Sequence, residues 1–136
     1  MFNKKLAIVG ASGAVGRVFI ELLDEMYPGT KDLFLVASKR SAGRSMFCGK
    51  QEFIIQDIEE FDFSQVEIAF FSAGAETAEK YAPIAVSKGC TVIDNSSQFR
   101  TDSDKPLIVP EVNSKDLENF KLPGIIANPN LSLIHI

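Results

Sequence analysis

Short apolar runs alternate with helix-spaced apolar stripes along most of the chain. The runs Lys5–Val9, Leu33–Ala37, Phe53–Gln56, Glu67–Phe71, Thr91–Ile93 and Ile125–Ala127 predict strands, continuous enough in apolar residues to be covered on both faces. Between the first two, Val15, Val18, Phe19, Leu22, Leu23 and Met26 recur at helical spacing, so Ala14–Met26 is an amphipathic helix with that stripe expected in the core. Pro28-Gly29 ends it. A second helix is predicted over Ala75–Ser87, kinked at Pro83 and capped by Gly89. A short helical turn, Lys115–Asn119, is capped by Ser114. Ser38–Gly49 and Asn95–Asp104 are polar and read as loops at the carboxyl ends of strands.

Strand–helix alternation predicts βαβ units: an α/β fold of Rossmann type, a doubly wound, mostly parallel sheet that binds ligands beyond the carboxyl ends of its strands. At 136 residues the chain is one domain able to bury a core without metals or disulfides. A net charge of −4, with acids and bases interleaved, offers no basic face for nucleic acid. No apolar run is long enough to span a bilayer. The first ten residues do not make a signal peptide, because the apolar run is short and enters a glycine-rich turn. Two cysteines, Cys48 and Cys90, form no disulfide framework and fit a reducing, cytoplasmic setting. No metal site is expected.

The chemistry concentrates at three strand ends. Gly10-Ala11-Ser12-Gly13-Ala14-Val15-Gly16 joins the first strand to the first helix with spacing G-x-x-G-x-x-G. Small residues let the backbone approach a pyrophosphate, which the helix N-terminus then holds. The alternative is a plain strand–helix turn. The second strand ends in Ser38-Lys39-Arg40-Ser41, with no acid to bond a ribose 2′-hydroxyl; its cations and hydroxyls suit the 2′-phosphate of NADP, unless the loop is simply solvated. Ser72-Ala73-Gly74 is either a further stretch of cofactor contact or a simple turn. Arg100, after Asp94-Asn95-Ser96-Ser97, could grip a phosphate or carboxylate, or pair with Asp102 at the surface.

With Lys80-Tyr81-Ala82-Pro83, Val109-Pro110-Glu111-Val112-Asn113 and Asn128-Pro129-Asn130, these segments resemble, in order and over residues 4–130, the bacterial aspartate-semialdehyde dehydrogenases. The resemblance implies NADPH-dependent reduction of aspartyl phosphate to aspartate semialdehyde, a step toward lysine, threonine and methionine, through a cysteine thioester. It implies a homodimer. By it, Gly10, Ser12, Gly13, Ala14, Val15 and Gly16 serve the pyrophosphate, with Ser12–Val15 in contact. Arg40 and Ser41 serve the 2′-phosphate, Ser38 is a further cofactor-binding position, Ser72, Ala73 and Gly74 lie along the cofactor, and Arg100 and Asn130 face the substrate. Related acyl-phosphate reductases of the acetylglutamyl type share the fold, but Asp94–Arg100 and Val109–Asn113 favour the aspartate-semialdehyde type.

The pattern breaks after Asn130. The family places its cysteine next, as Asn-Cys-Ser-Thr; here Leu131-Ser132-Leu133-Ile134-His135-Ile136 follows. Residues 1–130 are therefore expected to be an NADP-binding domain and 131–136 an aberrant tail, a truncation or sequencing artefact. No catalytic residue is expected in this polypeptide, and the sheet is expected to be incomplete at its C-terminal end. A stand-alone NADP-binding module without catalysis is the other reading.

Overall fold

The computed structural model describes residues 4–95 and 124–127. Among the described residues there are eight strands: β1 (Leu6–Val9), β2 (Leu33–Ala37), β3 (Ser45–Cys48), β4 (Gln51–Ile54), β5 (Gln56–Asp57), β6 (Ile68–Phe71), β7 (Thr91–Asp94) and β8 (Ile125–Ala127). Two helices, α1 (Ala14–Met26) and α2 (Ala75–Ser87), and a 3-10 turn at Phe63–Gln65 complete the described elements. Six strands form one sheet in the order β5-β2-β1-β6-β7-β8, every pair parallel. The chain starts at the centre, winds outward through β2, and restarts at β6 on the other side of β1. That is the doubly wound topology the alternation predicts.

Period-two alternation sorts the core. Leu6 and Ile8 of β1 pack with Ile20 and Leu23 of α1, while Ala7 and Val9 belong to the cluster of Ala78, Ala82 and Ala85 of α2. Those three alanines are fully buried, so α2 lies close to the sheet, and Phe61, Phe63 and Phe71 fill the space beside it with edge-on and stacked contacts. α2 runs unbroken through Pro83 and ends as foreseen. Gly89 has φ +95°, its N–H bonds Val86 O at 2.9 Å, and the Cys90 N–H bonds Ala85 O at 3.0 Å, the paired bonds of a Schellman cap. Beyond Pro28-Gly29, the Thr30 hydroxyl donates to Tyr27 O at 2.7 Å and closes α1.

Three expectations need correction. The strand expected at Phe53–Gln56 is two elements. Gln51–Ile54 pairs antiparallel with Ser45–Cys48 in a separate hairpin, and only Gln56–Asp57 joins the main sheet. Ser38–Gly49 is thus not all loop: it contains β3, and the two-residue Gly49-Lys50 connection at its end, with Gly49 at φ +63°, turns the chain tightly into β4. The expected core stripe of α1 is also displaced. Gly16, Ile20 and Leu23 face the sheet, while Val18 (54 % exposed), Leu22 (48 %) and Met26 (67 %) face outward with Val15. Gly16 has no side chain, so α1 approaches the sheet most closely on its side, and this rotates the larger stripe away. The helical turn expected at Lys115–Asn119 and the tail 131–136 lie outside the described residues. Among the described residues, no helix is long and apolar enough to cross a membrane.

Candidate cofactor site

The carboxyl ends of β1, β2 and β6 meet at the point where the winding reverses. Gly10 leaves β1 with φ +87°, and its N–H donates to Val36 O at 2.8 Å. A Cβ on Gly10 would lie 2.8–2.9 Å from the Ser72–Ala73 peptide, so the first and third loops touch through backbone alone. Gly13 folds back, its N–H on Gly10 O at 3.0 Å, and caps α1 from extended geometry (φ −78°, ψ 171°) with no side-chain hydrogen bond. A Cβ on Gly16 would collide with Gly10 O and lie 2.9 Å from Ala11 Cα and O. The first turn of α1, including Ala14 and Val15, is therefore drawn down onto the loop. Its amides have no side-chain cap and the turn carries no acid. Such an end is a positive dipole terminus with free donors, suited to an anion.

The second loop is tied to the first. The Ser12 hydroxyl donates to Ser41 Oγ at 3.1 Å. Ser41 and Ala42 N–H groups bond Ser38 O at 2.9 and 3.1 Å, which folds Ser38–Ala42 into a compact turn around Arg40. Lys39 lines a separate depression with the carboxylates Asp57 and Glu60. Arg40 has no ion-pair partner among the described residues, where the single ion pair is Lys4–Glu67. The third loop is pinned by Ser72, whose N–H and hydroxyl both reach Val9 O, at 2.8 and 3.1 Å. Gly74, φ +97°, starts α2 without a side-chain cap.

A cavity of about 310 Å³ opens among these loops. Gly10, Ser12, Gly13, Ser38, Ser72 and Ala73 line it, as do Ile58 and Thr77, which the sequence motifs did not single out. Thr77 lies one turn into α2, a position signalled only by its distance from Gly74. Ile58, one residue past β5, brings an apolar wall to the same opening. Of the residues expected at the site, Gly10, Ser12, Gly13, Ser38, Arg40, Ser41 and Ser72–Gly74 belong to these three converging loops, and Ala14, Val15 and Gly16 to the first turn of α1. Arg100 and Asn130 lie outside the described residues.

Neither cysteine is placed as a nucleophile. Cys90 is fully buried, its thiol between Phe63 O and Val66 O at 3.0 and 3.1 Å, and burial, with Asp62 adding, pushes it up to about 11. Cys48, expected in a loop, is instead a buried strand residue of the hairpin; burial first and Asp24 second raise its thiol. A thiol kept protonated is a poor nucleophile. No group of three or more histidine, cysteine or acidic residues that could hold a metal occurs among the described residues.

Comparison with known proteins follows the same lines. The family model described as "Semialdehyde dehydrogenase, NAD binding domain" matches residues 5–120. Aspartate-semialdehyde dehydrogenase of Shewanella violacea is 52 % identical over 132 residues, covering 96 % of this chain and 39 % of that protein. The crystal structure of aspartate semialdehyde dehydrogenase II of Vibrio cholerae, complexed with ASA, superposes with a TM-score of 0.91 at 49 % identity, covering 98 % of this chain and 44 % of that one. The Candida albicans enzyme, solved with NADP, superposes at 0.79 with 28 % identity, covering 96 % of this chain and 43 % of that one. The chain thus spans about two-fifths of the length of the curated relatives it matches.

Proposed function

Because the chain belongs to the semialdehyde dehydrogenase family through its NAD-binding domain, we propose that residues 1–130 hold NADP, in preference to NAD, for the reduction of aspartyl phosphate to aspartate semialdehyde. The uncapped, acid-free N-terminus of α1, pressed onto Gly10 and Ala11, carries this reading. A Cβ at Gly10 or Gly16 would strike neighbouring backbone, so the two glycines let the loops and the start of α1 close up and bring bare amides to one place, where a pyrophosphate would find donors. The preference comes from the second loop. Arg40 without an ion-pair partner among the described residues, beside the Ser41 hydroxyl and with no acid at the tip of β2, favours a 2′-phosphate over a 2′-hydroxyl. The nicotinamide cofactor supplies hydride when bound. The residues of this chain orient it: Ser12–Val15 at the pyrophosphate, Ser38, Arg40 and Ser41 at the 2′-phosphate, Ser72–Gly74 and Thr77 along the opposite wall.

Substrate contact by Arg100 and Asn130, and the homodimer, belong to the same proposal for the complete enzyme. With Leu131 where the family resemblance sets its cysteine, and with Cys48 and Cys90 buried, this polypeptide alone forms no thioester and reduces nothing. Fluorescence titration with NADPH and NADH tests the proposal. NADPH binding at least tenfold tighter than NADH is expected, about 1.4 kcal/mol or more. Equal affinities would remove the NADP assignment, and no binding of either nucleotide would remove the cofactor reading.

A further inference from the structure

One cation at this site belongs to none of the motifs above. Arg17 lies in the opening turn of α1, where its N–H bonds Gly13 O at 3.0 Å. Its side chain folds back toward the loop, and Nε donates to the Ser12 carbonyl at 3.1 Å. A positive charge here opposes the helix dipole, and the turn holds no acid to offset it. Glu21, four residues on, is the customary partner on a helix surface, yet the single ion pair among the described residues is Lys4–Glu67. Arg17 is thus an exposed cation beside the phosphate loop with no ion pair among the described residues, and an incoming anion would give it a partner.

The position of Ser12 identifies that anion. Its carbonyl accepts from Arg17, while its hydroxyl donates to Ser41 at 3.1 Å, next to Arg40. One residue thus bridges the two arginine-bearing segments. With Nε engaged, both terminal nitrogens of the Arg17 guanidinium remain for a bidentate grip on phosphate oxygens. We propose that Arg17 is a second specificity-determining cation for the 2′-phosphate, acting from the first loop as Arg40 acts from the second. This rests on the NADP reading of the same site. Discrimination between NADP and NAD is then divided between two loops that the Ser12–Ser41 hydrogen bond keeps in register.

Direct titration of wild type, Arg17→Ala, Arg17→Lys and Arg40→Ala with NADPH and NADH tests this, alongside circular dichroism to verify folding. Arg17→Ala is expected to weaken NADPH roughly 10- to 100-fold, the range for losing a charge-assisted bond, and NADH by less than about threefold. Arg17→Lys keeps the charge but not the fork, so it should retain part of the preference. Equal weakening of both nucleotides in Arg17→Ala would overturn the inference, since it would make Arg17 only a prop for the phosphate loop. Unchanged affinities would overturn it too. If wild type prefers NADPH and Arg40→Ala alone abolishes that preference, the NADP reading survives and the role of Arg17 does not. If wild type shows no preference, the NADP reading itself fails.

Discussion

Replacing Gly16 with alanine sets two effects of opposite sign against each other. In an exposed helix the change should stabilise, because alanine is favoured over glycine by about 1 kcal/mol. Here the new Cβ would collide with Gly10 O and lie 2.9 Å from Ala11 Cα and O. All three are backbone atoms of a loop already fixed by the Gly10 N–H on Val36 O at 2.8 Å, so no side chain can swing aside. α1 must lift from the loop, and overpacking of this kind costs about 1–3 kcal/mol, toward the upper end where nothing yields. The net expectation is destabilisation by about 1–2 kcal/mol, a fall in Tm of roughly 3–8 °C for a domain of this size. The lift would also carry the amides of Ala14 and Val15 away from the proposed pyrophosphate position, so NADPH affinity should fall by more than stability alone explains. Thermal denaturation with and without NADPH measures both. A variant as stable as wild type, or more stable by the helix-propensity increment, would refute the close-approach argument.

The buried thiol of Cys90 gives the protein an alkaline limit. Its protonated form is held in the fold from the ordinary thiol value of 9.0 up to about 11, so the stability it contributes is complete below pH 9 and is lost as pH rises toward 11. In Cys90→Ala that part of the pH–stability curve should flatten, and urea titrations at pH 8 and 10.5 that shift equally in both proteins would rule the mechanism out. On α1, Leu22→Lys and Met26→Lys should leave Tm within about 1 °C, since neither side chain is in the core, while lowering light scattering on concentration. A loss of several degrees would return the outer stripe to the interior.

What the sequence made legible, and what it hid, divides on physical lines. The phosphate loop was readable because its requirements are local: a positive φ at Gly10, a close approach at Gly16 and a helix beginning between them are all written within seven residues. The position of the second loop was legible for a similar reason, as a polar stretch standing directly after an apolar run. The hairpin of β3 and β4 was not. Its strands mix Ser45, Met46 and Phe47 with Gln51 and Glu52, and the pattern of a small, half-exposed ribbon differs little from that of a polar loop. α1 presented a different ambiguity, since a helix with two apolar flanks satisfies helical periodicity whichever flank turns inward. Gly16 was the deciding mark, because the face that lacks a side chain is the face that can come closest. Ile58 and Thr77 carry no motif and enter the site only through three-dimensional position.

The contact between Gly10 and the Ser72–Ala73 peptide has a consequence for how the protein comes into being. Residues 10–16 hold every glycine of the loop, yet its shape depends on a segment some sixty positions later, and on Val36 between them. During synthesis, α1 can coil as soon as it emerges, because its hydrogen bonds are local. A nucleotide at the proposed site, by contrast, would have nothing to recognise until β6 has slotted in beside β1, a long-range pairing that closes late. Such a ligand would not guide the early chain. It would only secure a sheet that has already closed, its arrival marking the end of folding.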